Sequence, residues 1–208
     1  MKFQLTALLL PITGVLATPV DASVSARQPA LPRAKFNTTG FSTADSRFGG
    51  CDGASVTYSE DNEVATVLLP NYFVTLPTRP ASTCHVSVIV SFPQGICTSG
   101  TFIGRASGLV NVPAGVTATY TGRNYAISPS LSTVSETSPD GRFPGPRNGI
   151  YVLEDRIVYT LNRPDANNRN ITFGPQGELQ LQPTNGPSGL LSNQQIIFDI
   201  RNQSQRVC

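Results

Sequence analysis

The chain is a succession of short apolar segments separated by turn residues, and no stretch of twelve or more residues has the periodicity of a helix. In the clearest segment, 85–92, apolar residues stand at every second position from Val86 to Phe92. This alternation is typical of a strand with one buried face. Strands are also predicted at 55–59, 65–69, 72–76, 101–110, 117–121, 150–153, 157–161, 171–173, 179–181 and 195–200, with turns at 60–63, 113–115, 139–141 and 185–187.

About ten short strands with regularly spaced turns predict an all-β fold. We expect a single disulfide-bonded β-sandwich, immunoglobulin-like or jelly-roll-like, in preference to a barrel. The chain contains no tryptophan, so its core lacks the buried tryptophan of true immunoglobulin domains. The pattern places this domain at residues 47–208.

Residues 1–17 have the pattern of a secretory signal peptide, with a basic Lys2, an apolar run and a small residue, Ala17, at the cleavage point. The run of about a dozen residues is short for a membrane span, which needs about 20. Residues 18–46 are rich in Ala, Pro, Ser and Thr and are expected to form a disordered leader. We therefore expect a secreted protein, extracellular or in a cell wall, without a membrane span.

Four cysteines follow the predicted signal peptide, and an even number in a secreted chain predicts two disulfides with three possible pairings. Their spacing lacks the close pairs of zinc sites, and the chain has one histidine, so no metal or other cofactor is expected. A net charge of +2 gives no basis for nucleic-acid binding. The cysteines are Cys51, Cys84, Cys97 and Cys208.

No motif in the chain identifies a catalytic residue. His85 would have to serve any nucleophilic triad, but no G-x-S-x-G segment accompanies it, and we interpret it as a half-exposed residue at a strand end. Glu60, Asp61 and Glu63 offer too few oxygens for calcium and fit a solvated turn, as does the pair 154–155. The chain has thirteen acidic residues. Sequence spacing cannot show whether two of their carboxyl groups flank one glycosidic bond, so a glycosidase carboxylate pair stays an open alternative.

Two sets of residues are candidates for surface roles. Tyrosine combines an apolar ring with a polar tip, so five tyrosines could form a binding face for sugars. Three Asn-x-Ser/Thr sequences are candidate glycosylation sites, which would mark exposed positions. The tyrosines are Tyr58, Tyr72, Tyr120, Tyr125 and Tyr151, and the asparagines are Asn37 in the leader, Asn170 in an Asn-rich loop and Asn202 after a strand.

An ordered set of short motifs runs through residues 48–208. It comprises Gly-Gly-Cys at 49–51, Thr-Cys-His-Val-Ser-Val at 83–88, Phe-Pro-Gln-Gly at 92–95, Phe-Ile-Gly-Arg-Ala at 102–106, Val-Pro-Ala-Gly-Val-Thr-Ala at 112–118, Phe-Pro-Gly-Pro at 143–146, Gly-Ile-Tyr at 149–151 and a final cysteine. In order and spacing, the set resembles the domain-of-unknown-function 4360 family of small secreted, mainly fungal proteins. The resemblance implies secretion, a β-rich disulfide-bonded domain and no assigned catalytic residue.

The cysteines depart from the pattern of that family. Its third cysteine usually lies late, in a Ser-Pro-Cys-Gly-like segment, whereas residues 159–164 contain none here and Cys97 stands earlier. The family pairing therefore cannot be transferred to this chain. We hypothesise that Cys51 pairs with Cys84 and that Cys97 pairs with Cys208.

Two functional hypotheses follow from these features. The leading one is a secreted, non-enzymatic protein that binds an extracellular protein or a cell-wall glycan, with an effector role in a host as a special case. The alternative is a polysaccharide-acting hydrolase that uses a carboxylate pair. Fold class does not separate them, because β-sandwiches host unrelated functions.

Overall fold

The computed structural model describes residues 30–42, 50–127, 131–136, 140–162 and 169–208. The predicted signal peptide and most of the predicted leader lie outside the described residues. The described part of the chain contains thirteen strands and no helix. The strands are β1 (Lys35–Ser42), β2 (Ser55–Tyr58), β3 (Val64–Leu68), β4 (Phe73–Thr75), β5 (Ala81–Ser91), β6 (Ile96–Val112), β7 (Thr117–Ile127), β8 (Leu131–Glu136), β9 (Gly141–Pro144), β10 (Arg147–Leu161), β11 (Asn170–Gln182), β12 (Leu190–Asp199) and β13 (Gln203–Val207).

The strands form two antiparallel sheets that pack together as a β-sandwich. The smaller sheet has the order β1-β5-β11-β7-β9. The larger sheet has the order β2-β3-β12-β6-β10-β8, with β4 beside β12 and β13 beside β6. The predicted all-β sandwich is therefore confirmed.

The strand order makes the sandwich jelly-roll-like. Eight strands pair in a nested order, β3 with β12, β5 with β11, β6 with β10 and β7 with β9. The chain thus follows the path of one long hairpin that is folded over, so most consecutive strands of this set lie in opposite sheets. Of the two sandwich types expected from the sequence, this is the jelly roll.

Aromatic rings join the two sheets at the centre of the core. The Phe102 ring on β6 stacks on the Phe173 ring of the opposite sheet, with centroids 4.3 Å apart. The Phe198 ring on β12 lies 5.4 Å from the Phe102 ring. Along β5 and the residue that follows it, every second side chain from Val86 to Phe92 is at most 1% exposed, as the sequence alternation predicts. The inward positions of both sheets therefore form one continuous apolar core.

The domain begins earlier than the sequence pattern predicts. Strand β1 lies inside the predicted leader and pairs with the edge of β5. The Phe36 side chain is 5% exposed and its ring lies 6.4 Å from Phe102. The Arg33 guanidinium donates to the Glu63 carboxylate and to the Arg201 carbonyl oxygen. The compact unit spans residues 31–208, so the boundary at residue 47 is wrong.

Two long strands replace four short predicted ones. The sequence predicts a turn at the acidic pair 154–155, but the pair lies in the middle of β10, with Glu154 outward and Asp155 2% exposed. Residues 171–181 likewise run through one strand, β11, despite the Gly and Pro residues at its centre. Pairing with β6 holds β10 extended there, and neighbours on both sides hold β11 extended, although the local sequence favours a turn in each.

Two disulfides attach irregular segments to the sheets. Cys51, before β2, is bonded to Cys84 on β5, and Cys97 on β6 is bonded to the C-terminal residue Cys208. The Cys208 amide also donates to the Gly95 carbonyl oxygen at 3.0 Å. This is the pairing hypothesised from the sequence, and disulfides of this kind are typical of oxidising, extracellular compartments.

Candidate functional site

Three of the five candidate tyrosines lie in the core. Tyr72, Tyr120 and Tyr151 are 1%, 3% and 4% exposed, and burial raises the pKa of each hydroxyl above its ordinary value. The Tyr151 hydroxyl donates to the Ser192 carbonyl oxygen at 2.9 Å. Gly177 leaves space for Tyr72, since a Cβ there would lie 2.7 Å from the Tyr72 hydroxyl oxygen. The predicted tyrosine face is therefore wrong for these residues, because each occupies an inward position.

The other two tyrosines belong to different sheets. Tyr58 ends β2 in the larger sheet, is 36% exposed, and its hydroxyl oxygen lies 2.8 Å from the Thr39 Oγ1 atom. Tyr125 belongs to β7 in the smaller sheet, and its side chain is outside the described part of the structure. These two residues therefore lie on strands of different sheets.

His85 lies in the middle of β5 and not at its head, because the strand begins four residues earlier, at Ala81. The residue is half-buried on the outward side of the smaller sheet. Its Nε2 atom is buried without a hydrogen-bond partner among the described residues. The described structure therefore gives His85 no carboxylate or serine hydroxyl with which to form a triad.

The acidic turn between β2 and β3 divides into two environments. Glu60 and Asp61 are exposed, as a solvated turn predicts. Hydrogen bonds from the Ser59 hydroxyl and the Glu63 amide lower the pKa of Asp61. Glu63 instead is 6% exposed and forms an ion pair with Arg33, so the solvated interpretation is wrong for this residue. Within the described ranges, no three His, Cys, Asp or Glu side chains converge on a common point.

Arginines also hold the carboxylates of Glu154 and Asp199. On the outer side of the larger sheet, the Glu154 carboxylate lies 2.7 Å from Arg105 and 2.6 Å from Arg156, and their hydrogen bonds lower its pKa. The Asp199 carboxylate is paired with Arg201, whose hydrogen bonds lower its pKa as well. A glycosidase acid needs a raised pKa, so these groups suit an ionised, structural role.

The smaller sheet has a continuous polar outer surface on β7, β9 and β11. Outward polar residues alternate there with buried ones, such as Leu179 and Leu181 on β11. Cross-strand register aligns Arg142 with Thr119 and Thr119 with Gln180. The Gln180 amide donates to the Glu178 carboxylate at 2.6 Å. We call this surface the polar face; it comprises Thr117, Thr119, Thr121, Arg142, Glu178, Gln180 and Gln182.

A shallow depression of about 570 Å³ lies at one end of the polar face. Its lining combines hydroxyl, amide and guanidinium groups with the backbone of the turn before β7. None of the described lining residues carries a carboxylate, and the one charged group among them is the exposed guanidinium of Arg142. The lining residues are Gly115, Thr117, Thr119, Arg142, Gln182 and Pro183.

The outer surface of the larger sheet differs in chemistry. Ile150, Val152 and Val158 on β10 are 73%, 62% and 50% exposed. Leu109, which is paired with Ile150 in register, is 38% exposed. This surface therefore mixes apolar side chains with the ion pairs of Glu154, whereas the polar face offers mainly neutral hydrogen-bonding groups.

The candidate glycosylation sites are exposed, but two occupy strands and not the leader or a loop. Asn37 lies in β1 and Asn170 begins β11, on either side of Ser91. The Asn37 amide donates to the Ser91 hydroxyl oxygen at 3.1 Å, and that hydroxyl donates to Asn170 Oδ1 at 2.8 Å. Asn202 is exposed between β12 and β13.

Comparisons with known proteins give little for this chain. No protein-family model matches it, and no curated protein matches it. One solved structure that it resembles is described as TmCBM61 in complex with β-1,4-galactotriose. The two chains are 12% identical, the TM-score is 0.30, and the match covers 84% of this chain and 91% of that one.

No helix in the described ranges is long and apolar enough to cross a membrane.

The polar face was missed because its residues look ordinary in the sequence. The segment 178–182 alternates polar and apolar residues, which indicates a strand but no particular ligand. Arg142 lies next to a predicted turn and belongs to no sequence motif that indicates ligand binding. What assembles the face is the adjacency of β9, β7 and β11, three strands that are distant in the chain.

Proposed function

We propose that this protein is a secreted, non-enzymatic binding protein whose polar face holds an extracellular polysaccharide. The observation that carries the proposal is the register of three neighbouring strands that direct hydroxyl, amide and guanidinium groups outward. Polysaccharide hydroxyls both donate and accept hydrogen bonds, and so do threonine hydroxyls and glutamine amides. The polar face therefore matches the chemistry of a polyol surface.

The openness of the face favours a polymer over a single sugar. A net hydrogen bond contributes about 0.5–1.5 kcal/mol, so two or three of them give a Kd of about 1 mM or weaker. A chain that crosses β9, β7 and β11, at about 4.8 Å per strand, meets more groups at once. We therefore expect measurable affinity for polysaccharides and weak affinity for monosaccharides.

Binding is favoured over hydrolysis by the state of the carboxylates. Asp61, Glu154 and Asp199 have a lowered pKa because hydrogen-bond donors hold them ionised. A glycosidase needs one carboxyl group that remains protonated to donate to the leaving group. The carboxylate-pair hydrolase has no comparable observation in its favour, and we do not propose it.

The proposal includes the secretion expected from residues 1–17 and a location in the medium, a cell wall or a host's extracellular space. It also includes membership of the domain-of-unknown-function 4360 family, which is supported by the ordered motifs of residues 48–208. The two disulfides support an oxidising compartment. An extracellular protein partner is the alternative that the experiment below separates.

Glycosylation at Asn37, Asn170 and Asn202 forms part of the same proposal. Asn170 begins β11 and Gln182 ends it, so at about 3.3 Å per residue they lie about 40 Å apart. A glycan at Asn37 or Asn170 would therefore leave the depression at the other end of the sheet open. Glycosylation and polysaccharide binding are compatible on this surface.

The test is sedimentation of the purified mature protein with insoluble polysaccharides. The panel contains chitin, β-glucan, cellulose and bead-linked acidic polysaccharides, and both pelleted protein and released reducing sugar are measured. The double variant Thr119→Ala/Gln180→Ala removes two neutral groups from the polar face. The matched control, Thr101→Ala/Gln195→Ala, removes the same groups from the outer side of the larger sheet.

We expect at least one polysaccharide to pellet the protein without sugar release. The polar-face variant should reduce pelleting and the control variant should not. Sugar release above background would make the protein a hydrolase and overturn the proposal. Failure to pellet with any polysaccharide would overturn it in favour of a protein partner.

A further inference from the structure

We infer that the polar face selects polysaccharides that carry uronic acid carboxylates, and that Arg142 binds the carboxylate. This inference rests on the proposed function, because it specifies the ligand class of the same face. The first observation is the composition of the depression, where the described lining residues supply hydroxyl and amide groups, one guanidinium and no carboxylate. Its charge is therefore complementary to an anionic sugar.

The second observation is that the charge of Arg142 is not neutralised within the described part of the protein. Arg33, Arg105, Arg156 and Arg201 each form an ion pair with a carboxylate. Arg142 is exposed and forms no ion pair with any described residue. The Arg142 guanidinium is therefore available to a ligand. A ligand of any of the other four arginines would have to compete with a protein carboxylate.

The third observation is that the backbone holds Arg142 in a fixed direction. Gly141 and Phe143, its neighbours on β9, both face the core, and the Phe143 ring packs 4.9 Å from the Tyr151 ring. At Gly141, a Cβ would lie 2.7 Å from the Phe143 ring and 2.8 Å from Leu153. No side chain fits at that inward position, and turning the strand over would expose the Phe143 ring and bury the guanidinium, so Arg142 stays on the outer side of the sheet.

The geometry of the guanidinium favours a carboxylate. Arginine presents parallel N–H groups that match the two oxygens of a carboxylate, and such charge-assisted pairs are stronger than neutral hydrogen bonds. Thr119, beside Arg142 in register, and Thr117, next along β7, can take hydroxyls of the same sugar. Glu178 is the nearest acid along β11, but it lies outside the depression and accepts a hydrogen bond from Gln180.

The experiment measures the affinity of the mature protein for matched polysaccharides by affinity electrophoresis. Polygalacturonate is compared with its methyl ester, which has the same backbone without the charge, and alginate serves as a second uronate probe. Dextran sulfate controls for anionic charge of a different geometry. Arg142→Gln is compared with Arg156→Gln, which makes the same charge change on the opposite sheet, and the urea midpoint of each variant checks its fold.

We expect a uronate polymer to bind the native protein about tenfold or more tightly than the methyl ester, since a charged hydrogen bond is stronger than a neutral one. Arg142→Gln should reduce the affinity to that of the ester, and Arg156→Gln should leave it unchanged. Equal binding of ester and uronate, equal binding of dextran sulfate, or an equal loss in both variants would overturn the inference while the proposed function stands. If no polysaccharide binds, the proposed function itself fails.

Discussion

Replacing Phe102 by alanine should be among the most destabilising single changes in this domain. The ring is 1% exposed and lies 4.3 Å from Phe173 in the opposite sheet and 5.4 Å from Phe198 in its own. Removing a buried phenylalanine ring costs about 3–5 kcal/mol, since apolar burial is lost and a cavity remains. Small domains are stable by about 5–15 kcal/mol, so this single change removes a large part of the total.

The assay is urea unfolding with both disulfides intact, followed by far-ultraviolet circular dichroism. With a slope of about 2 kcal/mol/M, a loss of about 4 kcal/mol lowers the midpoint by about 2 M. Phe102→Leu, which keeps a buried aliphatic group but removes the stacking on both rings and some volume, should cost about 1–3 kcal/mol. Ile150→Ala is the control, because Ile150 is 73% exposed and such changes stay within about 0.5 kcal/mol. A loss below about 1.5 kcal/mol for Phe102→Ala would refute the assignment of these rings as the link between the sheets.

Three further outcomes are expected. Changing Cys97 and Cys208 together to serine removes a disulfide that spans 111 residues and should lower the free energy of unfolding, measured in urea, by about 4–5 kcal/mol. A loss below about 1 kcal/mol would contradict this expectation. Because Arg201 lowers the folded-state pKa of Asp199 below 3.8, their pair stabilises the fold above that pH and loses this effect as the pH falls through the lowered value. Asp199→Asn should therefore flatten the acid dependence of the urea midpoint, and an unchanged dependence would refute the assignment. Asn37→Gln should lower the mass of the secreted protein by one glycan, and an unchanged mass would show that this site is not modified.

The fold class was readable from local alternation, but several strand limits were not. β5 was evident because its inward side is uniformly apolar from Val86 to Phe92. β1 carries no periodicity of its own and is a strand because the free edge of β5 accepts it. β10 continues through Glu154 because β6 pairs with it there, and a partner so distant in sequence leaves no local trace.

The candidate site was less predictable than the fold. Tyr72, Tyr120 and Tyr151 were expected at a surface, but the apolar body of each ring favours the core, and its hydroxyl does not prevent burial. The sequence shows that polar residues around Gln180 alternate with apolar ones. It does not show that β7, β9 and β11 lie side by side and so combine their outward residues into one surface. Arg142 became a candidate only because the sheet places it beside Thr119.

The most direct test of the account is where a polysaccharide touches the protein. Nitrogen-15 NMR spectra of the labelled mature protein can be titrated with a soluble uronate oligosaccharide and with a neutral one. The account predicts that chemical-shift changes concentrate at Thr117, Thr119, Arg142 and Gln182 and are larger for the uronate. Changes that concentrate instead around Ile150 on the opposite sheet would contradict the assignment of the polar face as the binding site.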